Sequence, residues 1–235
     1  MLAKYINSGF VDRPLLVMHS GFGCDLRFWK KITDSLRMDF DILIFAENYF
    51  KSTDDVVSIE DVLEIMKNRD VIVGGHSLGY AKMVQFCEKY GGKLKLKKIF
   101  AIAGFSNFLS DNPIARGIRK LSLDMMIFLY KVNLVQTFVM FLYFCGEMFP
   151  TVPSDVDRDL FFKDLLWLND RVESPNVPHL VLSSFDDPTI PWYVIEDNFR
   201  KLKDVSIKYT FGAMHLLGDK NSEYVAGELK KFALS

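Results

Sequence analysis

Five residues, Gly75-His76-Ser77-Leu78-Gly79, carry the strongest chemical signal in the chain. They follow a short β-branched run, Asp70-Val71-Ile72-Val73-Gly74, and precede a helical pattern, Tyr80-Ala81-Lys82-Met83-Val84-Gln85-Phe86-Cys87. The order predicts a strand, a sharp turn and a helix, with serine at the turn. Such a turn throws the Ser77 Oγ clear of the backbone at the C-terminal edge of a sheet. Small residues are needed where strand and helix pass closely, and Ser77 itself must adopt a strained conformation. A serine so placed can attack an acyl carbon. It then needs a base to take its proton and a carboxylate to orient that base.

A sheet must hold that turn, and the sequence supplies one. Continuous apolar runs predict buried strands over 15–19 and 41–45, and further strands over 98–103, 179–183 and 205–211. Between them, apolar residues at helical spacing predict helices over 25–36, 58–68, 192–202 and 222–234. Ser58, with Asp61 three residues on, is expected to cap the second of these. Strands alternating with helices imply an α/β fold, a parallel sheet with right-handed crossovers. The alternation breaks over 105–176, where only helical stretches occur, over 114–131, 134–147 and 156–169. The expected organisation is therefore a core of 1–104 and 177–235 interrupted by an all-helical insertion. The stretch over 134–147 is hydrophobic nearly all round, which predicts burial on all sides.

Composition narrows the function. At 235 residues, 49% hydrophobic and 25% charged, the chain suits one domain with an insertion. Its 21 phenylalanines point to a large apolar interior. A net charge of -1 gives no global attraction to nucleic acid. Cys24, Cys87 and Cys145 are scattered and read as buried thiols in a reducing compartment. Residues 1–9 lack the apolar core of a signal peptide, and the greasy run at 134–145 is too short to span a bilayer. The expected location is the cytoplasm, and a monomer is expected.

With its serine turn set between a buried strand and a helix, the chain resembles the α/β-hydrolases. The resemblance implies a mostly parallel sheet flanked by helices, with residues 105–176 as a helical lid. It also implies a chain order of serine, acid and histidine, each after a strand. His19 precedes the serine, His76 sits inside the turn and points away from Oγ, and His179 begins a strand. His215, in Phe211-Gly212-Ala213-Met214-His215, follows the last strand and matches the base. The acid loop offers two neighbours, Asp186 and Asp187. The family pattern Asp-x-x-Val/Ile-Pro selects Asp187, closed by Ile190-Pro191, and leaves Asp186 a turn position. Oxyanion donors are implied at the backbone N–H groups of Leu78 and Phe22. The family's usual His-Gly-x-Gly appears as Ser20-Gly21-Phe22-Gly23, with its histidine one place early, so His19 is expected to have a packing role.

Within that superfamily, several stretches resemble the pimeloyl-acyl-carrier-protein methyl ester esterases of biotin synthesis. These are Gly21-Phe22-Gly23 with Trp29, and Leu165-Leu166-Trp167-Leu168-Asn169-Asp170-Arg171 leading into Val177-Pro178-His179-Leu180. The resemblance implies a serine carboxylesterase acting on an acyl ester, without metal or cofactor, and a substrate carried on acyl carrier protein. Phe138, Phe141 and Leu142 are the expected lining of an acyl pocket. Arg116, Arg119 and Lys120 share a helical face that could meet an acidic carrier. The residues leave other readings open: a general small esterase or thioesterase, a non-catalytic ligand-binding protein on the same frame, or peripheral lipid binding through the greasy lid.

Overall fold

The computed structural model describes residues 1–9, 12–53, 55–148, 150, 152 and 155–235. In chain order the elements are β1 (Leu2–Ile6), β2 (Leu15–His19), α1 (Lys30–Leu36), β3 (Ile42–Ala46), α2 (Ile59–Met66), β4 (Asp70–His76), α3 (Leu78–Tyr90) and β5 (Lys95–Ile102). Then follow α4 (Pro113–Cys145), α5 (Arg158–Trp167), β6 (His179–Ser184), α6 (Trp192–Phe199), β7 (Val205–Thr210), α7 (Leu217–Lys220) and α8 (Ser222–Leu234). The seven strands form one sheet in the order β1-β3-β2-β4-β5-β6-β7. Neighbours pair in parallel except β1, which runs antiparallel to β3. The alternation of elements had not announced β1.

Burial on both faces explains the continuous apolar runs. In β2, Leu15 and Val17 enter one core, while Leu16 and Met18 enter the other. The same division recurs in β4, with Val71 and Val73 opposite Ile72, and in β5, with Ile99 and Ala101 opposite Phe100 and Ile102. This is the period of two expected of a strand covered on both sides. Because β2, β4, β6 and β7 run the same way, the loops that follow them all emerge at one edge. Residues 20–23, 77, 185–190 and 211–215 are brought together there.

Ser58 caps α2 as expected, its Oγ accepting from the Asp61 N–H at 3.1 Å. The helices expected over 114–131 and 134–147 form the two halves of α4, divided at Asn133, whose backbone is extended (φ -151°, ψ 92°). The Asn133 side chain accepts from the Gln136 N–H at 3.1 Å and so starts the second half as an N-cap. Asn112 caps the first half, and Gly146 ends the second in the left-handed conformation at φ 100°.

One expectation fails here. The second half of α4 is not buried on all sides. Leu134, Phe138 and Cys145 face inward, but Val135, Met140, Tyr143 and Phe144 are exposed. The helix lies across the protein rather than through it, so the core covers only one side. By length and composition the whole of α4 would be enough to cross a membrane, unlike the short run read from the sequence.

Candidate active site

The serine turn is built by close approach. A Cβ on Gly79 would lie 2.2 Å from the His19 carbonyl oxygen, and one on Gly75 would lie 2.4 Å from the Gly79 carbonyl carbon. A side chain at Gly75 would force β4 and α3 apart, and one at Gly79 would force α3 away from the end of β2. Ser77 sits between them at φ 53°, ψ -125°, a conformation that costs about 1–3 kcal/mol unless its surroundings hold it. Part of that hold is its own N–H, which donates to the Ile102 carbonyl at 2.9 Å.

Three side chains from three loops meet at this turn. Ser77 Oγ lies 2.9 Å from His215 Nε2, and His215 Nδ1 lies 2.8 Å from Asp187 Oδ2. The carboxylate can only accept, so Nδ1 carries the proton and Nε2 is left to accept from the serine hydroxyl. Asp187 Oδ1 accepts from the backbone N–H groups of Thr189 and Ile190, at 2.7 and 2.8 Å. All three groups are buried, Ser77 being 6% exposed. The arrangement is a continuous hydrogen-bonded chain from hydroxyl through imidazole to carboxylate.

Asp186 lies outside the relay. It is exposed, bonded to the Ser184 hydroxyl and to the Gly212 N–H at 3.0 Å. Burial is the largest single influence and raises its carboxyl. The hydrogen bonds from Ser184 and from backbone N–H groups, that of Gly212 among them, together outweigh it and hold the carboxyl below the usual range. It ties the acid loop to the histidine loop.

The loop after β2 abuts the serine. A Cβ on Gly21 would lie 3.2 Å from the Ser77 Cβ, so the Phe22 backbone is close to the same point. Among the described residues neither the Phe22 nor the Leu78 N–H donates to a protein acceptor. Free donors beside the Ser77 hydroxyl are of the kind that a developing oxyanion requires.

No protein-family model matches the chain, and no curated protein matches it. Solved structures do. An esterase from Exiguobacterium antarcticum superposes with a TM-score of 0.81 at 14% identity, over 99% of this chain and 95% of that one. A hydrolase from Oleispira antarctica gives 0.78 at 17% identity, over 99% and 94%. MenH from S. aureus gives 0.70 at 14% identity, over 99% and 97%. The chain has the α/β-hydrolase fold.

Other residues of the α/β-hydrolase frame depart from their expected places. Arg119 does not share an open face with Arg116 and Lys120. It is buried, its Nε donating to the Phe108 carbonyl and its Nη2 to the Thr189 carbonyl at 3.1 Å, with the guanidinium 4.1 Å from the Phe108 ring centre. Arg116 and Lys120 remain exposed, and Lys120 pairs with Asp124. The helix turns Arg119 inward because the first half of α4 rests on the acid loop through that position.

Phe138 is a core residue rather than the wall of an open pocket. Its ring lies 5.0 Å from Phe161 and 6.3 Å from Phe22, in an aromatic cluster that also holds Tyr49, Tyr130 and half-buried Phe141. Leu142 packs half-buried against the same core. The open apolar cleft beside the relay, about 500 Å³, is lined by other residues of the same helix, Met140, Tyr143 and Phe144, with Pro188 and Met214.

Three supporting groups escaped the sequence reading. His76 Nε2 donates to the His215 carbonyl at 2.9 Å, and its ring stacks on Phe28 at 4.3 Å. Burial, and then the nearby His215, push its pKa down to about 3, so it stays neutral. On the opposite side the His215 N–H donates to the Cys145 carbonyl at 3.3 Å. Beneath the aromatic cluster, buried Asp164 of α5 takes bonds from Lys82 Nζ at 2.6 Å and from the Tyr49 hydroxyl. Burial disfavours the Lys82 charge, but Glu47 and Asp164 outweigh it and hold the ammonium above its ordinary range. A lysine set in the apolar stretch 78–86 after Ser77, and an aspartate between Phe161 and Leu165, were the available signals. His19 is also buried, its Nδ1 donating to the Ser20 carbonyl at 2.7 Å.

Proposed function

We propose that this protein is a serine carboxylesterase with Ser77 as nucleophile, His215 as base and Asp187 as acid. The relay of 2.9 and 2.8 Å between the three side chains carries the reading. Ser77 Oγ attacks the ester carbonyl carbon as His215 Nε2 takes its proton. The carbonyl π electrons move to oxygen, which the N–H groups of Phe22 and Leu78 receive. Collapse of the tetrahedral intermediate breaks the C–O bond, and His215 passes its proton to the departing alcohol. Water then attacks the acyl-serine by the same route, with His215 again as base, and releases the acid. Asp187 keeps Nδ1 protonated and stabilises the imidazolium formed midway.

The narrower reading is hydrolysis of methyl pimeloyl-acyl carrier protein. Its support is the sequence resemblance at Gly21-Phe22-Gly23, 165–171 and 177–182. Methanol release from that carrier-bound ester, beside free short-chain esters and with Ser77→Ala as blank, tests both levels. Cleavage of either ester, abolished by Ser77→Ala, supports the carboxylesterase. A strong preference for the carrier-bound ester supports the narrower substrate. Hydrolysis of neither ester under conditions where the chain is folded would contradict the proposal.

A further inference from the structure

Helix α4 carries a second apolar face, opposite the one that joins the core. Ile114, Ile118, Leu121, Met125, Phe128 and Val132 are all exposed, Ile114 at 78% and Leu121 at 69%. Their spacing alternates four and three residues, which draws a single stripe along a helix. The stripe is roughly 27 Å long at 1.5 Å per residue. Arg119, Leu123 and Tyr130 occupy the buried side of the same segment. An uncovered apolar stripe of this length marks an interaction surface rather than scattered surface hydrophobes.

Charge narrows what covers it. Arg116, Lys120 and Lys131 stand exposed on α4 against one acid, Asp124, in a chain whose net charge is -1. A second copy would bring this basic excess against itself, without the alternating acids that pair such seams. An acidic carrier protein would match the basic groups but leave the apolar stripe against a polar surface. A bilayer with anionic headgroups accepts both, taking the stripe into the acyl boundary and the basic groups at the headgroups. The second half of α4 adds Met140, Tyr143 and Phe144 to the cleft with Pro188 and Met214, next in sequence to Asp187 and His215. Both halves of α4 therefore carry exposed apolar residues, those of the second half lying beside the relay.

We propose that α4 docks this protein on an anionic lipid surface and that the relay draws its acyl ester from that surface. The second clause rests on the carboxylesterase reading. The test uses the full chain with phosphatidylcholine vesicles, with and without phosphatidylglycerol, scored by co-sedimentation. The stripe is interrupted by Ile118→Ser, Leu121→Ser, Met125→Ser and Phe128→Ser together. A separate variant carries Arg116→Gln, Lys120→Gln and Lys131→Gln. Hydrolysis of a water-soluble acetyl ester and the circular dichroism spectrum report folding of the stripe variant.

The expected result is binding of the native chain to phosphatidylglycerol vesicles, weakened at least about tenfold in the stripe variant with acetyl ester hydrolysis retained. The basic variant is expected to lose its preference for phosphatidylglycerol. Native protein left in the supernatant with both vesicle types overturns the docking, as does a stripe variant that is folded and binds like the native chain. A dimer dissolved by the stripe variant, or retention on immobilised acyl carrier protein, without vesicle binding, also overturns it and assigns the face to that partner. Vesicle binding with no hydrolysis of any ester upholds the docking and overturns only the second clause.

Discussion

Arg119 Nη2 donates to the Thr189 carbonyl at 3.1 Å, two residues beyond Asp187. The Thr189 N–H in turn donates to Asp187 Oδ1 at 2.7 Å, so one peptide segment is held between the helical insertion and the acid. The insertion thus sets the position of a carboxylate in the relay. Arg119→Met should lower kcat about tenfold with little change in KM, because a small misplacement of the acid costs catalysis rather than binding. Arg119→Lys should recover only part of the loss, since one ammonium cannot reproduce the fork that reaches both Phe108 and Thr189. Steady-state kinetics on a water-soluble ester check this. An unchanged kcat in Arg119→Met would show that the acid loop holds itself.

His76 should behave as a support for His215 rather than as a second base. In His76→Phe the ring that stacks on Phe28 is kept, but the His215 carbonyl loses its donor. A buried carbonyl left unpaired costs about 1–3 kcal/mol. Urea unfolding should show that loss, with a fall in kcat and no new inflection in its pH profile. A displaced inflection would mean that His76 exchanges protons during turnover.

The Lys82–Asp164–Tyr49 network joins α3, the helix that begins directly after Ser77, to α5 of the insertion. Asp164→Ala leaves the Lys82 charge beneath the aromatic cluster with only Glu47, at 3.2 Å, as partner. Removing one member of a buried pair typically costs 3–5 kcal/mol, about that much being expected here in urea unfolding. A loss below about 1 kcal/mol would indicate that water reaches Lys82.

Stability should fall on mild acidification. Burial pushes the pKa of His76 down to about 3 and that of His179 down to about 4, from an ordinary 6.5. Between those limits the unfolded chain binds more protons than the folded one, so stability rises with pH across the window. Above pH 6.5 the contribution is complete, and it is lost as pH falls towards 3–4. For His76 alone the loss at pH 5 is about 2 kcal/mol. Thermal unfolding at pH 7, 6 and 5 should give a steadily falling Tm. A Tm unchanged over that range would contradict the buried, neutral state of both rings.

Much of the sheet was legible because its strands are buried on both faces, which writes continuous apolar runs such as Leu15-Leu16-Val17-Met18 into the sequence. The meeting of Ser77, Asp187 and His215 was legible because each follows a strand and parallel strands end at one edge. β1 was not, since a short edge strand buries little and carries a weak pattern, with Lys4 exposed in its middle. The insertion misled most. Apolar residues on every side of a helix read as total burial, whereas α4 turns one apolar side to the core and leaves the other open. Arg119 was misplaced for a related reason: helical spacing tells which residues share a side, not which side faces inward.

The most direct test is covalent labelling of the folded protein with a fluorophosphonate, with the adduct located by peptide mass spectrometry. One adduct per chain at Ser77 is predicted, absent in Ser77→Ala and slowed by orders of magnitude in His215→Ala, where no base takes the hydroxyl proton. A folded chain that forms no adduct at Ser77, or labels equally fast without His215, would contradict the serine hydrolase account.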